Sequence, residues 1–406
     1  MTKHILISGA SVAGPALAWW LHHHGFRATV VERAPSLREG GYKVDIRGVA
    51  VDVVRRMGLL EQVRAASTDM RGAAFVNKRG KQIATLDADT FGFRHGDDTE
   101  ILRGDLAKIL YEHTRDDVEY VFGDWITALD QHADGVEVTF AHGAPRKFDL
   151  VVGADGLHSG VRALAFGPEE EFLRRFDAYI SISTVPNTHR LDRWELLHSA
   201  AAGRMVNVYS TAGAADAKAA FWFSAPPLAY DRRDVESQKD LVAGQFAGLG
   251  WEIPALLDAL READDFYFDP VCQIVMDRLS TGRVTLLGDA GYCPSPASGQ
   301  GTSLALAGAY VLAGELATDF AAALPRYEAE MRPYIEKNQA LAKTALRGII
   351  PQSRAFAWFN TRMIKLMPYL PGRNRVLEQM ARPIREAANA LVLKEFRSPA
   401  DRAPSS

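Results

Sequence analysis

The sequence predicts an α/β fold in which a Rossmann-like domain is interleaved with an antiparallel-sheet domain and followed by C-terminal helices. Three observations predict it. A strand, a helix and a second strand surround a glycine-containing turn at the N-terminus. Apolar strands of the same kind return near residues 150 and 290, the latter leading into an Ala/Gly-rich helix. Between those two returns the helical signal weakens, and apolar residues recur at every second position, as in half-buried strands.

His4–Ser8 reads as an apolar strand, Ala13–His24 as a helix and Ala28–Glu32 as another apolar strand. Such a βαβ unit implies a parallel sheet buried on both faces. Val49–Met57 and Asp105–His113 carry apolar residues three or four apart, the helical spacing. Ala73–Leu86 and Glu119–Phe140 alternate like strands, broken by "KRGK" and "HADG" turns. Phe148–Gly153 is a strand ending in "GADG". "AYISIST", "RMVNVYST" and "AAFWFSAP" read as strands of one antiparallel sheet, with a helix near Asp234–Leu249. Arg283–Gly288 is again a strand and Gly301–Ala317 a helix. Beyond Pro325 the chain reads as helical to about Lys394, broken near Pro351 and between Pro368 and Pro371. The expected organisation assigns 1–72, 101–165 and 276–340 to the dinucleotide domain and 73–100 and 166–275 to the substrate domain. A helical segment at 341–398 and a flexible tail at 399–406 complete it.

Composition narrows the function classes. The 406 residues are 47% hydrophobic, ample for real cores, and the formal net charge of -3 offers no reason to expect nucleic acid. Two cysteines, Cys272 and Cys293, make no disulfide framework. There is no signal peptide after Met1 and no apolar run of about 20 residues, so the expectation is a cytoplasmic protein without a transmembrane segment.

"LISGASVAGPALAWWL" sets Gly9, Ser11 and Gly14 in the three positions of a G-x-G-x-x-G fingerprint. Gly9 permits the tight turn and Gly14 close helix–strand packing. The helix start then offers free N–H groups to a pyrophosphate. Ser11 is small enough to leave the backbone accessible. Glu32 ends the second strand about twenty residues on, where a carboxylate grips a ribose; Ala13 and Arg33 belong to the same expected contact set. His22, His23 and His24 sit too close in sequence to share a helix face, so no metal is expected.

Three further stretches carry a resemblance. They are "DLVVGADGLHSGVR" at Asp149–Arg162, "ILRGDL" at Ile101–Leu106 and "GDAGYCPSPASGQGTS" at Gly288–Ser303. With the N-terminal fingerprint they resemble the group A flavoprotein monooxygenases. These are single-component aromatic hydroxylases, among them para-hydroxybenzoate hydroxylase and the tetracycline-inactivating flavin monooxygenases. The resemblance implies FAD as cofactor, with NADPH or NADH as a transient reductant and O2 as co-substrate, and oxygen transfer through a flavin C4a-hydroperoxide. It further implies that Asp289 holds the ribityl chain and that the Pro294–Pro296 loop lies beside the flavin ring. Gly299, Gln300 and Gly301 would offer backbone N–H groups to the ring's pyrimidine edge, where a side chain would not fit, and Thr302 belongs to the same expected contact set. Asp155 then serves the pyrophosphate and nicotinamide side, Arg103 the phosphate–ribityl portion, and Gly41 and Asp45 a loop near the flavin. Arg47 is left between that cavity and a solvated loop. Family members often have Ala-His where Gly291-Tyr292 stand here, so no histidine role carries over.

The expected substrate is an aromatic or polycyclic, polyketide- or antibiotic-like small molecule. Its expected walls are Ile180, Ile182, Met205, Tyr209, Phe221 and Phe223, chosen two or four apart because such residues share a strand face. No catalytic side chain beyond the flavin's own chemistry is expected. "RAFAWFNTRMIKLMPYL" reads as a helix packed across both domains, or alternatively as an interfacial membrane helix. A monomer or homodimer is expected. Alternative readings are a flavoprotein that shields an intermediate without hydroxylating it, a flavin-dependent halogenase, and a flavin-dependent reductase.

Overall fold

The computed structural model describes residues 2–38, 40–366, 369 and 371–396, so the expected tail at 399–406 lies outside the described residues. Ile5, Leu6 and Ile7 have no exposed surface, as expected of a strand covered on both faces. The strand His4–Ser8 lies inside a six-stranded sheet. Its order is Ser280–Thr281, Val284–Leu286, Leu150–Gly153, His4–Ser8, Arg27–Glu32 and Glu119–Phe122. Every pairing is parallel except the Ser280–Thr281 edge. The three separated apolar strands of the sequence therefore meet side by side, with Ile5 opposite Leu150 and Val151 opposite Val284.

The helices Ala13–His23 and Gly301–Thr318 pack together over this sheet. The small residues of Gly301–Thr318 have packing causes. A Cβ on Gly308 would stand 2.1 Å from the Tyr292 hydroxyl, and one on Gly314 would stand 2.1 Å from the Phe396 ring. Tyr292 is thus a buried brace under this helix, its hydroxyl 3.0 Å from that of Tyr327.

A second, seven-stranded sheet runs Tyr267–Ile274, Leu173–Pro186, Asp216–Ser224, Arg204–Tyr209, Trp194–Ala201, Gly72–Val76 and Gln82–Asp87. It is antiparallel except where Trp194–Ala201 meets Gly72–Val76. One face is covered by the helices Val235–Phe246 and Ile253–Glu262. The second of these helices was not expected, although Ile253, Leu256, Leu257 and Leu260 have the helical spacing. The other face looks toward the first domain.

The C-terminal region differs from expectation in two ways. Helix Arg373–Ala388 stops short of Lys394, because the chain turns back to bury Phe396 against Tyr310 and to pair Lys394 with Glu315 at 2.8 Å. The helix that crosses the two domains is Ala323–Ile349, with Tyr327, Met331, Tyr334 and Asn338 buried. Arg354–Leu366, expected to do so, has no buried residue and rests on the edge strand Gln82–Asp87. Among the described residues no helix is long and apolar enough to cross a membrane.

Candidate active site

A cavity of about 620 Å³ lies between the two sheets. One end is built from backbone. Gly9 adopts φ +108°, and a Cβ there would stand 2.4 Å from the Ala154 carbonyl oxygen. A Cβ on Gly14 would stand 1.9 Å from the Gly9 carbonyl oxygen. Both positions therefore require glycine. No side chain caps the Ala13–His23 helix, so its first N–H groups face the cavity together with Ser11 and Ala13. Glu32 accepts hydrogen bonds from the amides of Ala10 and Ala34, each at 2.8 Å, which fixes its carboxylate at the cavity rim. Arg33 stacks 4.7 Å over Trp125 beside it. Arg103 donates to the Ser11 hydroxyl at 3.0 Å and lies over the Tyr42 ring.

The middle of the cavity is framed by the Gly288–Ser303 segment. Asp289, at the start of a short helical turn, faces the cavity with Pro294, Ser295, Pro296, Gly299, Gly301 and Thr302. Burial raises the pKa of its carboxyl, and burial also pushes the neighbouring Cys293 thiol well up. A Cβ on Gly301 would stand 3.5 Å from Asp289, and one on Gly299 3.8 Å from Asp45. No neighbour crowds either glycine; the space they leave is cavity. Ser295 has φ +86° and ψ 141°, a region that side-chain-bearing residues rarely occupy, so the loop stores about 1–3 kcal/mol of strain beside the cavity. Gln300, buried at the N-cap of the Gly301–Thr318 helix, has no protein partner for either side-chain polar atom. Asp155 lines the cavity too, but its oxygens accept from the Ser159 hydroxyl and the Val161 amide, so it also caps the next helix. Burial raises its pKa as well.

The far end is built from side chains. Ile180, Ile182, Asn207, Tyr209, Ala220 and Trp222 of the seven-stranded sheet face the cavity, with Tyr267 and Asp269 beside them. Ile180 pairs with Trp222 and Ile182 with Ala220, so these four share one face. Phe221 and Phe223 therefore point away, into the core with Tyr179 and Phe246. Their expected place at the cavity wall is corrected. The parity within each strand was right, but the phase of this strand against its neighbour was not. Met205 shares the cavity face, opposite Trp222 in register, without lining the cavity.

A buried ionic network closes this end. Lys43 Nζ lies 2.6 Å from Glu195, 3.6 Å from Glu100 and 4.6 Å over the Tyr209 ring. Burial disfavours its charge, yet the two carboxylates outweigh burial and raise its pKa. Asn207 donates to Glu195 at 2.7 Å. Asp45 pairs with Arg47 at 2.8 Å, while Arg47 also donates to the Gly92 and Phe93 carbonyls and lines a different cleft. At the domain boundary His158 bridges Asp269 at 2.8 Å and Glu169 at 3.0 Å. Burial alone would lower its pKa, but these carboxylates raise it to about 9.

Sequence reasoning missed Lys43, Asn207, Trp222, His158 and Asp269. Asn207 was legible, a lone amide among apolar residues on the face of Met205 and Tyr209. Lys43 and Asp269 gain their setting only through long-range contacts. Among the described residues no cluster of His, Cys, Asp or Glu is arranged for a metal; His23 instead stacks on Trp19. The uncapped helix and the glycine cradle fit a bound dinucleotide with a flat ring near Gly299–Gly301.

Comparison with known proteins agrees with this geometry. The model of a family described as "FAD binding domain" matches residues 2–342. An uncharacterized protein of Mycobacterium tuberculosis is 47% identical, the match covering 86% of this chain and 95% of the relative. A flavin-dependent monooxygenase of Legionella longbeachae is 40% identical over 84% of this chain and 88% of its own. A crystal structure of a tetracycline destructase superposes with a TM-score of 0.84 at 38% identity, covering 97% of this chain and 99% of that one.

Proposed function

The chain belongs to the FAD-binding-domain family of flavin-dependent monooxygenases, and from that premise we propose that it hydroxylates an aromatic or polycyclic small molecule, using a nicotinamide nucleotide as electron donor and O2 as oxidant. One observation carries the reading: a single cavity joins a backbone-built dinucleotide cradle to an apolar sheet face. Reduced FAD, when bound, supplies the oxygen chemistry, so the protein's work is to hold, orient and exclude water. The N–H groups after Val12, with Ser11 and Arg103, hold the pyrophosphate, and Glu32 takes the ribose hydroxyls. Asp289 anchors the ribityl chain. The N–H groups of Gly301 and Thr302 stabilise negative charge at the pyrimidine edge of the ring. Ile180, Ile182, Ala220 and Trp222 form the flat wall against which a planar substrate lies, and Asn207 and Tyr209 offer polar contacts at its edge. The relative that is a tetracycline destructase supports a fused-ring substrate.

Anaerobic stopped-flow mixing of the flavin-loaded protein with NADPH, then with oxygen, tests this. A fused-ring phenol such as a tetracycline is expected to accelerate flavin reduction and to leave with one added oxygen atom. Flavin that NADPH and NADH never reduce, or a panel of aromatic compounds recovered unchanged while hydrogen peroxide accumulates, overturns the reading.

A further inference from the structure

The helix Arg354–Leu366 presents an unusual surface. Phe356, Trp358 and Phe359 are 46%, 65% and 57% exposed, and Met363, Leu366, Tyr369, Val376 and Met380 are also exposed. Ala357, Asn360, Thr361 and Ile364, spaced as one helix face, are the half-buried positions, so the apolar aromatics lie on the outward side. Single exposed apolar residues are ordinary, but three aromatic rings exposed within four consecutive residues mark an interaction surface.

Charge says which kind. From Lys337 to Leu377 the chain contains no aspartate or glutamate, yet it carries Lys337, Lys343, Arg347, Arg354, Arg362, Lys365, Arg373 and Arg375. This run stands in a protein whose formal net charge is -3. Among the described residues none of Arg354, Arg362, Lys365, Arg373 and Arg375 pairs with a carboxylate, whereas Arg382 and Arg385, just beyond the run, do. Arg362 instead lies 5.7 Å from the Trp358 ring centroid. A protein partner of mixed charge would not require a surface cleared of carboxylates. A surface that is apolar beneath and uniformly anionic above would.

We propose that the outward face of Arg354–Leu366 docks on an anionic lipid bilayer. Trp358 and Phe359 enter the headgroup boundary, and Arg354, Arg362 and Lys365 meet the phosphates. The same C-terminal region is rooted in the substrate wall, since Ile350 packs in one cluster with Ile180, Ile182 and Ala220. Docking would set that wall close to molecules dissolved in the bilayer.

The test is co-sedimentation of the flavin-loaded protein with sucrose-filled vesicles of phosphatidylcholine alone, or with about a third phosphatidylglycerol. Binding to the anionic vesicles only, reduced by raising salt from 0.1 to 1 M, is the expected result. The triple variant R354Q/R362Q/K365Q should bind those vesicles roughly a hundredfold more weakly, at about fivefold per cation lost. W358S/F359S should weaken binding while keeping its flavin and its melting temperature, which separates lost docking from lost folding. Equal binding to both vesicle types, or full binding by either variant, overturns the proposal. So does a dimer in light scattering that W358S/F359S converts to monomer, because the face would then belong to a second copy.

Discussion

The two ends of the cavity are made of different materials. At the dinucleotide end the contacts come from backbone: uncrowded amides after Val12 and Gln300, and glycines whose Cβ positions are claimed either by neighbours or by the cavity itself. At the sheet end they come from side chains standing on a regular surface, Ile180, Ile182, Asn207, Tyr209 and Trp222, propped by a buried ionic network around Lys43. A backbone site tolerates almost no change at its glycines and is indifferent to many side chains nearby. A side-chain site can be rebuilt residue by residue while the fold persists. The first kind of site suits a ligand that stays the same across a fold, and the second suits one that varies between its members.

That contrast can be broken most severely at Gly14. Gly14→Ala places a methyl 1.9 Å from the Gly9 carbonyl, and flavin retained per folded protein should fall roughly a hundredfold, read by absorbance after gel filtration. A variant that keeps its flavin would show that the first turn does not hold the dinucleotide.

Next comes a pair on adjacent residues of one strand. Phe223→Ala removes a core ring and should cost about 3–5 kcal/mol in urea unfolding. Trp222→Ala, facing the cavity, should cost much less stability but raise KM for a fused-ring substrate roughly tenfold. Reversed outcomes would mean that the sheet is turned the other way.

Lys43→Met should destabilise by about 3 kcal/mol, because it leaves Glu195 buried without its cation while Glu100 keeps Arg94 at 3.1 Å, and flavin stoichiometry should stay unchanged. Flavin loss alone, with stability intact, would place Lys43 at the wrong end.

His158 gives a pH test. Its folded pKa, about 9, lies above the ordinary 6.5, so its contribution is fully present below 6.5 and is lost as pH rises through 9. Unfolding free energy should drop by about 1–2 kcal/mol over that window, discounted for the ring's partial exposure, and His158→Asn should flatten the drop. The smallest effect is expected at Ser295. Ser295→Gly should relieve backbone strain and raise stability by about 1 kcal/mol, while the loop beside the cavity becomes less fixed.

How much of this could be read from sequence follows the same division. The parallel strands, the Gly9–Gly14 turn, Glu32 and the Gly288–Ser303 segment are local patterns, and local patterns are legible because they depend on few residues close in the chain. The sheet end is not local. Whether Phe221 or Trp222 faces the cavity depends on the register against Ile180 and Ile182 some forty residues earlier, and one step of register exchanges the faces. Lys43 becomes a network centre only because Glu100 and Glu195 are brought to it. The turn after Ala388 is likewise set by Phe396 and Lys394 finding partners on a distant helix, which overrides local helical preference.

The most direct test of the two-ended cavity is a crystal structure of the protein with FAD and a fused-ring phenol bound together. The account predicts the pyrophosphate at the amides after Val12, the flavin ring beside Gly299–Gly301, and the phenol stacked on the Ile180–Trp222 face. A phenol held in the cleft beside Arg47, or an FAD that avoids the Gly9 turn, would contradict it.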